Sequence, residues 1–533
     1  MMRYRLLVIG ILMHICLAGM GQVGELPRST PEAEGVSDDL MTRFHQAMTA
    51  LPNVDIHHIM VLRHGKVISE YHALPYQADD LHTLYSASKT VTALAVGLAI
   101  DDGLLTVNDK VSKYLRDKMP ATLTPALDSL TIRHMLMMAA GREQDQSIPE
   151  GDDEWLTTWF KGNFSEVGQH FVYDSMCTHA LAVIVTRVTG KPMLQYVRER
   201  IFEPLHIVQA DWELAPDSVE TAGWGLRLHA ESEAKLGQLM LQGGVWNGQR
   251  LLSEQWIHDM TQMHLGTDVV PQKPKPLWKR FMRFLRRTWH TVRSWFTGYN
   301  IDDYFRGYGY QTKAIMQPHA NSFFAAGYGG QLIDVVPDLD LVVVINGRAA
   351  NYGNELNAIY EYLVVPLVRG KPEPAVAGGF SYDLLPPQGE ATHPSESRLF
   401  DGHIVLEENE LGISSIEVTP DGERQRDFTI VDQRRTLHAH AACGQWRITT
   451  SDELPIYIME CRHQLVGTPR LFKNAAAYAW QGDTLVMRLE WIDGGDNRNL
   501  RMAMDGNRVT VFARDNTDLV LTDTIHGTIQ PRR

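Results

Sequence analysis

Short strand-like runs stand at both ends of a long stretch whose pattern is otherwise helical, and this arrangement limits the topologies open to the chain. Near the N-terminus, residues 57–62 and 66–71 are two apolar runs around Arg63-His64-Gly65-Lys66, a hairpin with a basic-Gly turn. The pattern then becomes helical. Residues 86–102, 131–140, 178–189 (closed by Gly190), 232–242 and 253–263 each repeat apolar side chains at helical spacing. Strand-like runs return at 309–316, 322–326, 331–336 and 341–345. Distant strands bury their apolar faces most simply by sharing a sheet. The expected fold is therefore α/β in content (α+β in order), an antiparallel sheet made from N- and C-terminal pieces and flanked by helices.

A chain of 533 residues exceeds one core and should divide. After Arg369-Gly370-Lys371-Pro372-Glu373-Pro374 the composition shifts, and Pro386-Pro387 follows. Beyond lie short runs at 413–418, 428–431, 456–460, 485–491 and 508–513, separated by Asp-Gly, Gly-Asp and Asn-rich turns. Residues 375–533 read as an all-β domain of sandwich or barrel type.

The first residues have the pattern of an export signal. Arg3 and Arg5 precede an apolar run over 6–20, and Gly19 and Gly21 stand at −3 and −1 of a cut before Gln22. Segment 1–21 is thus expected to direct export to the periplasm or outside the cell; the alternative is an uncleaved membrane anchor. Cleavage leaves Cys177, Cys443 and Cys461, of which the last two share the β-rich region and either pair or stay reduced and buried. The net charge of −14 disfavours nucleic acid as a partner, since phosphate contacts need a basic face. Against that acidic total, residues 271–298 carry eight Lys and Arg and no acid. Trp278, Phe281, Leu285, Val292 and Trp295 fall on one helical face of this insert. The pattern predicts peripheral membrane contact or a lid packed on the cleft.

Ser86 and Lys89, in the run YSASKTV, are three residues apart and share a face of a helix. A serine hydroxyl becomes a nucleophile when a base takes its proton, and a lysine serves as that base when desolvation favours its neutral form. The small apolar residues around Lys89 provide such an environment. A lone S-x-x-K is weak; the bland alternative is an exposed lysine behind a serine N-cap.

Several ordered stretches give the pair its weight. LYSASKTVTALAVGLAIDDGLL, TIRHMLMMAAG, FVYDSMCTHALAVIVTRVTGKP, GWGLRLHAESEAKLGQLMLQGGVWNGQRLLS and FFAAGYGGQLIDVVPDLDLVVVINGR follow one another in residues 27–368. Together they resemble the serine β-lactamase and penicillin-binding protein superfamily, in its class C β-lactamase-related branch of esterases, peptidases and amide hydrolases. The resemblance implies a β-lactamase-like sandwich for 27–368, with Ser86 acylated, Lys89 as its base and Tyr173 as the shuttle that returns a proton to the leaving group. Ser175 stands where the branch commonly has Asn, and a hydroxyl lacks the paired donor and acceptor of an amide.

Where the superfamily has a Lys/His-Thr/Ser-Gly strand, this chain has Tyr328-Gly329-Gly330-Gln331. The resemblance implies that the N–H groups of Ser86 and Gln331 form the oxyanion hole. Tyr328 removes the cation that would meet the carboxylate of a penicillin, which points to a neutral or differently charged acyl substrate. The resulting expectation is an exported serine hydrolase acting on a small ester, amide or peptide, with no metal or organic cofactor. Its rivals are a β-lactamase or D-alanyl peptidase, and a catalytically silent recognition protein. His57-His58 and His438-Ala439-His440 lack further ligands at zinc spacing and are expected to bind no metal.

Overall fold

The computed structural model describes residues 24–142, 152–267, 307–315, 322–349, 352–370, 377–433, 435–452, 465–468, 470–515 and 521–532. The N-terminal segment 1–21, the basic insert 271–298 and Cys461 lie outside the described residues. Among those described, no helix is long and apolar enough to cross a membrane.

The expected sheet forms from both ends of the helical stretch. Its strands are β1 (Val54–Arg63), β2 (Lys66–His72), β3 (Leu265–Gly266), β4 (Gly307–Tyr308), β5 (Lys313–Ile315), β6 (Ser322–Gly327), β7 (Gln331–Val336) and β8 (Leu341–Ala349). They lie in the order β2-β1-β8-β7-β6-β5-β4-β3, with every neighbour antiparallel. Long β8 joins the two ends, running from Val54↔Ala349 to Arg63↔Leu341 against β1.

Alternation along the central strands separates two apolar layers. Ile333, Val335, Val342 and Val344 face a large core shared with helices α2 (Ser88–Asp101), α3 (Ser175–Thr189), α4 (Ala230–Leu241) and α5 (Glu254–Thr261). Leu332, Val336, Val343 and Ile345 face the other layer, closed by α1 (Asp38–Thr49) and α6 (Gly353–Ile359). Helix α2 is buried on every side from Ser88 to Ala99, as fits its place within that core. Gly97 makes one contact possible there. A Cβ on it would lie 2.1 Å from the Trp256 indole nitrogen, which donates to Ala93 O at 3.1 Å.

Two elements are shorter than the periodicity predicts. The helix expected over 131–140 spans only Ile132–Leu136, because the chain turns at Met138 with φ 54°. Of the strand expected over 309–316, only β5 (Lys313–Ile315) forms among the described residues; β4 lies just before that range, and Gln311 between the two takes φ 55°. Gln311 is buried, and its amide donates to Met135 O at 2.9 Å and accepts from Thr178 Oγ1 at 2.7 Å. These tertiary bonds replace the ladder, an outcome local pattern does not encode.

The C-terminal strands form a second sheet of β9 (Gly402–Leu406), β10 (Ser415–Pro420), β11 (Gln425–Val431), β12 (Thr436–Cys443), β13 (Arg447–Ser451), β14 (Phe472–Gln481), β15 (Thr484–Trp491), β16 (Asp496–Asp505), β17 (Arg508–Asp515) and β18 (Leu521–Pro531). A parallel pairing of β12 with β14 closes it, and β13 lies outside that closure. Its interior is a separate core that includes Phe428, Trp480, Met487 and Leu500. The two parts are tied by more than the linker. Leu465–Gly467 pairs with Asp211–Glu213, and Arg470 bridges Asp211 at 2.9 Å and Asp493 at 2.5 Å.

His57 and His58 lie buried in this framework, the first 3.0 Å from His82 and the second 2.8 Å from His72. His438 and His440 lie on β12, where His440 meets Asp427 at 2.6 Å.

Two buried carboxyls set a pH dependence. Asp334 on β7 and Glu355 on α6 are fully buried, and no charged side chain pairs with either among the described residues. Burial pushes both up to about 8. In an unfolded chain such groups titrate near 4. They therefore bind more protons folded than unfolded between about pH 4 and 8, and their stabilising effect is complete below that window and lost as pH rises through it. Each such group tilts stability by about 1.4 kcal/mol per pH unit inside the window. Buried histidines such as His82, lowered to about 4 by burial, tilt the curve the other way below about pH 6.5, so the difference between variant and parent is the useful quantity. The melting temperature of Asp334→Asn relative to the parent should rise between pH 5 and pH 8. An equal difference at both pH values would contradict the assignment.

Candidate active site

The nucleophile turn is built before α2 begins. Residues Tyr85–Ala87 form a single 3₁₀ turn, and Tyr85 is held at φ 44°. A tyrosine there is strained, and strain of this kind persists where surrounding bonds over-determine it. Several bonds do so here. Tyr85 Oη donates to Asp496 Oδ2 at 2.9 Å, and Ser88 Oγ donates to Tyr85 O at 2.6 Å. Leu226 N donates in turn to Ser88 Oγ at 3.2 Å. The consequence is local exposure at one point: of residues 81–99, Ser86 alone is not buried.

Lys89 lies one turn on, 2% exposed. Its Nζ is 3.0 Å from Ser86 Oγ and donates to Gly223 O at 2.6 Å. The same Nζ stands 4.8 Å from the centre of the Tyr173 ring. The structure thus brings together Ser86, Lys89 and Tyr173 from segments far apart in sequence. Tyr173 is half-buried and directly precedes the cap of α3. Asp174 fixes that cap, accepting from Met176 N at 2.9 Å and from the Trp159 indole at 2.8 Å. Ser175, the first residue of α3, faces Gly223, where an added Cβ would lie 3.2 Å from Ser175 Cβ and 3.5 Å from Lys89 Nζ.

The hairpin between β6 and β7 forms the opposite side. Gly327 would place a Cβ 2.1 Å from Leu84 O, so the strand end lies directly against the nucleophile turn. Tyr328 is half-buried, with its ring edge-on to Tyr85 at 5.6 Å. Gly329 and Gly330 turn the chain at φ 76° and 92°. Gly330 also lies over Glu355, whose Oε1 would be 2.5 Å from an added Cβ.

Gln331 is expected to act through its main-chain N–H, and its side chain is engaged elsewhere. It pairs with Gly327 across the hairpin, and its side chain is buried. Its amide donates to Tyr328 O at 3.1 Å and Gly347 O at 2.9 Å, and accepts from Gly347 N at 3.3 Å. The side chain fastens the hairpin to β8 and does not reach a substrate; only the main chain of Gln331 remains for that role.

Sequence reasoning missed three participants: Tyr85 as the strained residue, Gly223 as the carbonyl that holds Lys89, and Asp496 as the distant anchor. The glycines flanking Trp224 were the available signal for the second. Nothing local marks the other two.

A Beta-lactamase family model matches residues 58–358. The 6-aminohexanoate-dimer hydrolase of Paenarthrobacter ureafaciens is 28% identical over 251 residues, which is 42% of this chain and 61% of that protein. The chain thus spans less than two thirds of that relative. Among solved structures, the octameric penicillin-binding protein homologue from Pyrococcus abyssi aligns at TM-score 0.45 and 15% identity, over 91% of this chain and 99% of that one. A D-stereospecific amidohydrolase from Streptomyces sp. aligns at TM-score 0.45 and 15% identity, over 60% of this chain and 98% of the other.

Proposed function

The chain belongs to the Beta-lactamase family, with its hydrolase fold of sheet and helices, and we propose that it is a serine acyl hydrolase that cleaves an ester or amide through an acyl-enzyme on Ser86. The observation that carries this reading is the 3.0 Å approach of a buried lysine to Ser86 Oγ, on the one residue of 81–99 that is not buried. Neutral Lys89 accepts the Ser86 proton as Oγ attacks the carbonyl, and Gly223 O keeps Nζ in place for the transfer. Tyr173, whose ring centre lies 4.8 Å from Nζ, returns a proton to the departing alkoxide or amine. Main-chain N–H groups of Ser86 and of the 327–331 hairpin meet the developing oxyanion. Water then cleaves the ester to Ser86, with the same two groups moving its proton.

The substrate class follows from what surrounds Ser86. Ser175 and Tyr328 do not supply the amide and the cation expected of a β-lactam site, which supports esters and short amides ahead of penicillins. The relative named for a 6-aminohexanoate dimer supports including linear amides. Residues 375–533 complete the proposal as a β-rich accessory domain. Export through 1–21 and membrane contact through 271–298 belong to the same proposal and rest on the sequence pattern.

Intact-mass analysis after fluorophosphonate exposure tests the reading. One adduct per chain, mapped to Ser86, is expected, together with turnover of p-nitrophenyl esters. No adduct would favour the silent recognition protein, and nitrocefin turnover would favour the β-lactamase. Tyr173→Phe should lower kcat toward an ester by about a hundredfold or more if it moves the leaving-group proton. Unchanged kcat would remove it from that role.

A further inference from the structure

A cavity of about 490 Å³ lies between the hydrolase sheet and the outer face of the C-terminal sheet. Tyr85 and Tyr328 line it, so it abuts the nucleophile turn. The opposite wall comes from three adjacent strands. Arg488 on β15 stands across from Asn499 on β16, which stands across from Arg514 on β17. One step along, Arg501 stands across from Phe512. Strand alternation puts all of these on one face, while Met487, Leu489, Leu500 and Ala513 point into the core behind.

The charges in this cavity do not cancel. Arg348 is taken up by Asp55 and by Glu490 at 3.2 Å, and Arg488 by Glu490 at 2.6 Å. Asp496 accepts the Tyr85 hydroxyl. Among the described residues, Arg501 donates only to the neutral amide of Gln481, at 3.2 Å. Arg514 makes no hydrogen bond or ion pair among the described residues, and its Nε is shut off from solvent without a partner. A buried guanidinium N–H without an acceptor is costly, and a planar anion reaching it relieves the cost.

We propose that this cavity is an anion subsite in which Arg514, aided by Arg501, binds a carboxylate carried by the acyl substrate several bonds from the scissile carbonyl. The apolar spacer of such a substrate lies along Tyr85, Tyr328 and Phe512. The C-terminal sheet thereby supplies a cation near the strand where Tyr328 lacks one. The substrate assignment rests on the serine hydrolase reading; the binding site does not.

The test uses the full chain. Calorimetry of glutarate with the Ser86→Ala protein should show binding that weakens about tenfold or more on adding Arg514→Gln. In parallel, the ratio of kcat/KM for mono-p-nitrophenyl glutarate over p-nitrophenyl butyrate should fall about tenfold in Arg514→Gln. Glutarate that does not bind, or binds both proteins alike, overturns the subsite. Arg514-dependent binding without turnover of either ester would sink the hydrolase reading and leave the subsite standing. An ester ratio that ignores Arg514 while binding depends on it would detach the subsite from the acyl substrate.

Discussion

Ser86→Ala is expected to lower kcat/KM toward a p-nitrophenyl ester by about ten-thousandfold or more, with little change in melting temperature. The expected loss follows from the oxygen being the attacking atom, for which no neighbour can substitute. The small structural effect follows from its surroundings. Ser86 is the accessible point of a buried run, and its hydroxyl meets Lys89 across 3.0 Å. Lys89→Met should cost a similar factor, because a hydroxyl without its base is as silent as a base without its hydroxyl. The double variant should then be no worse than either single one, the non-additivity of groups that act as one unit. Additive losses would mean that Lys89 acts apart from Ser86, and Ser86→Ala retaining within tenfold of the parent activity would place the nucleophile elsewhere.

The parts of this arrangement that could be read from sequence are those set by short-range periodicity. Helix α2 announces itself through Thr90, Val91, Leu94 and Leu98, and α3 through its apolar spacing and Gly190, which takes φ 66° at its end. The shared sheet was legible because strand-like runs at two ends of a helical stretch have few other ways to bury themselves. What escaped depends on chain segments meeting at a distance. Gln311 breaks a strand to bind the main chain of Met135, and Gly223 offers a carbonyl to a lysine more than a hundred positions earlier. The row Arg488, Asn499, Arg514 exists only through the register of three strands. A register can be inferred from hairpin turns only when every residue between is counted correctly, and one slip would send Arg514 to the other face. The anchoring role of the Gln331 side chain escaped for the same reason. Its position in the motif was legible, but not the fact that β8 would engage its amide.

Glu490→Ala should produce the largest loss of stability of any single substitution considered. The carboxylate is fully buried between the two sheets, where it receives Arg348 Nη1 at 3.2 Å, Arg488 Nε at 2.6 Å, Asn497 Nδ2 at 3.0 Å and Tyr76 Oη at 3.4 Å. Its removal takes an acceptor from four donors at once; Arg348 keeps Asp55, while Arg488 loses its ion-pair partner. Breaking a buried pair from one side costs about 3–5 kcal/mol, since the remaining charge stays desolvated without an answering one. Replacing Arg348 and Glu490 together by apolar residues should cost less than Glu490→Ala, because Asp55, the other partner of Arg348, is 38% exposed and can be solvated. The activity should follow the stability. Asp496 opens the strand next to Glu490 and holds the hydroxyl of Tyr85, so loosening that edge frees the strained residue immediately before Ser86. The expected result is an apparent melting temperature several degrees lower and an ester kcat reduced even well below that temperature. A variant that melts early yet keeps full kcat while folded would show that Asp496 anchors the nucleophile turn without help from Glu490.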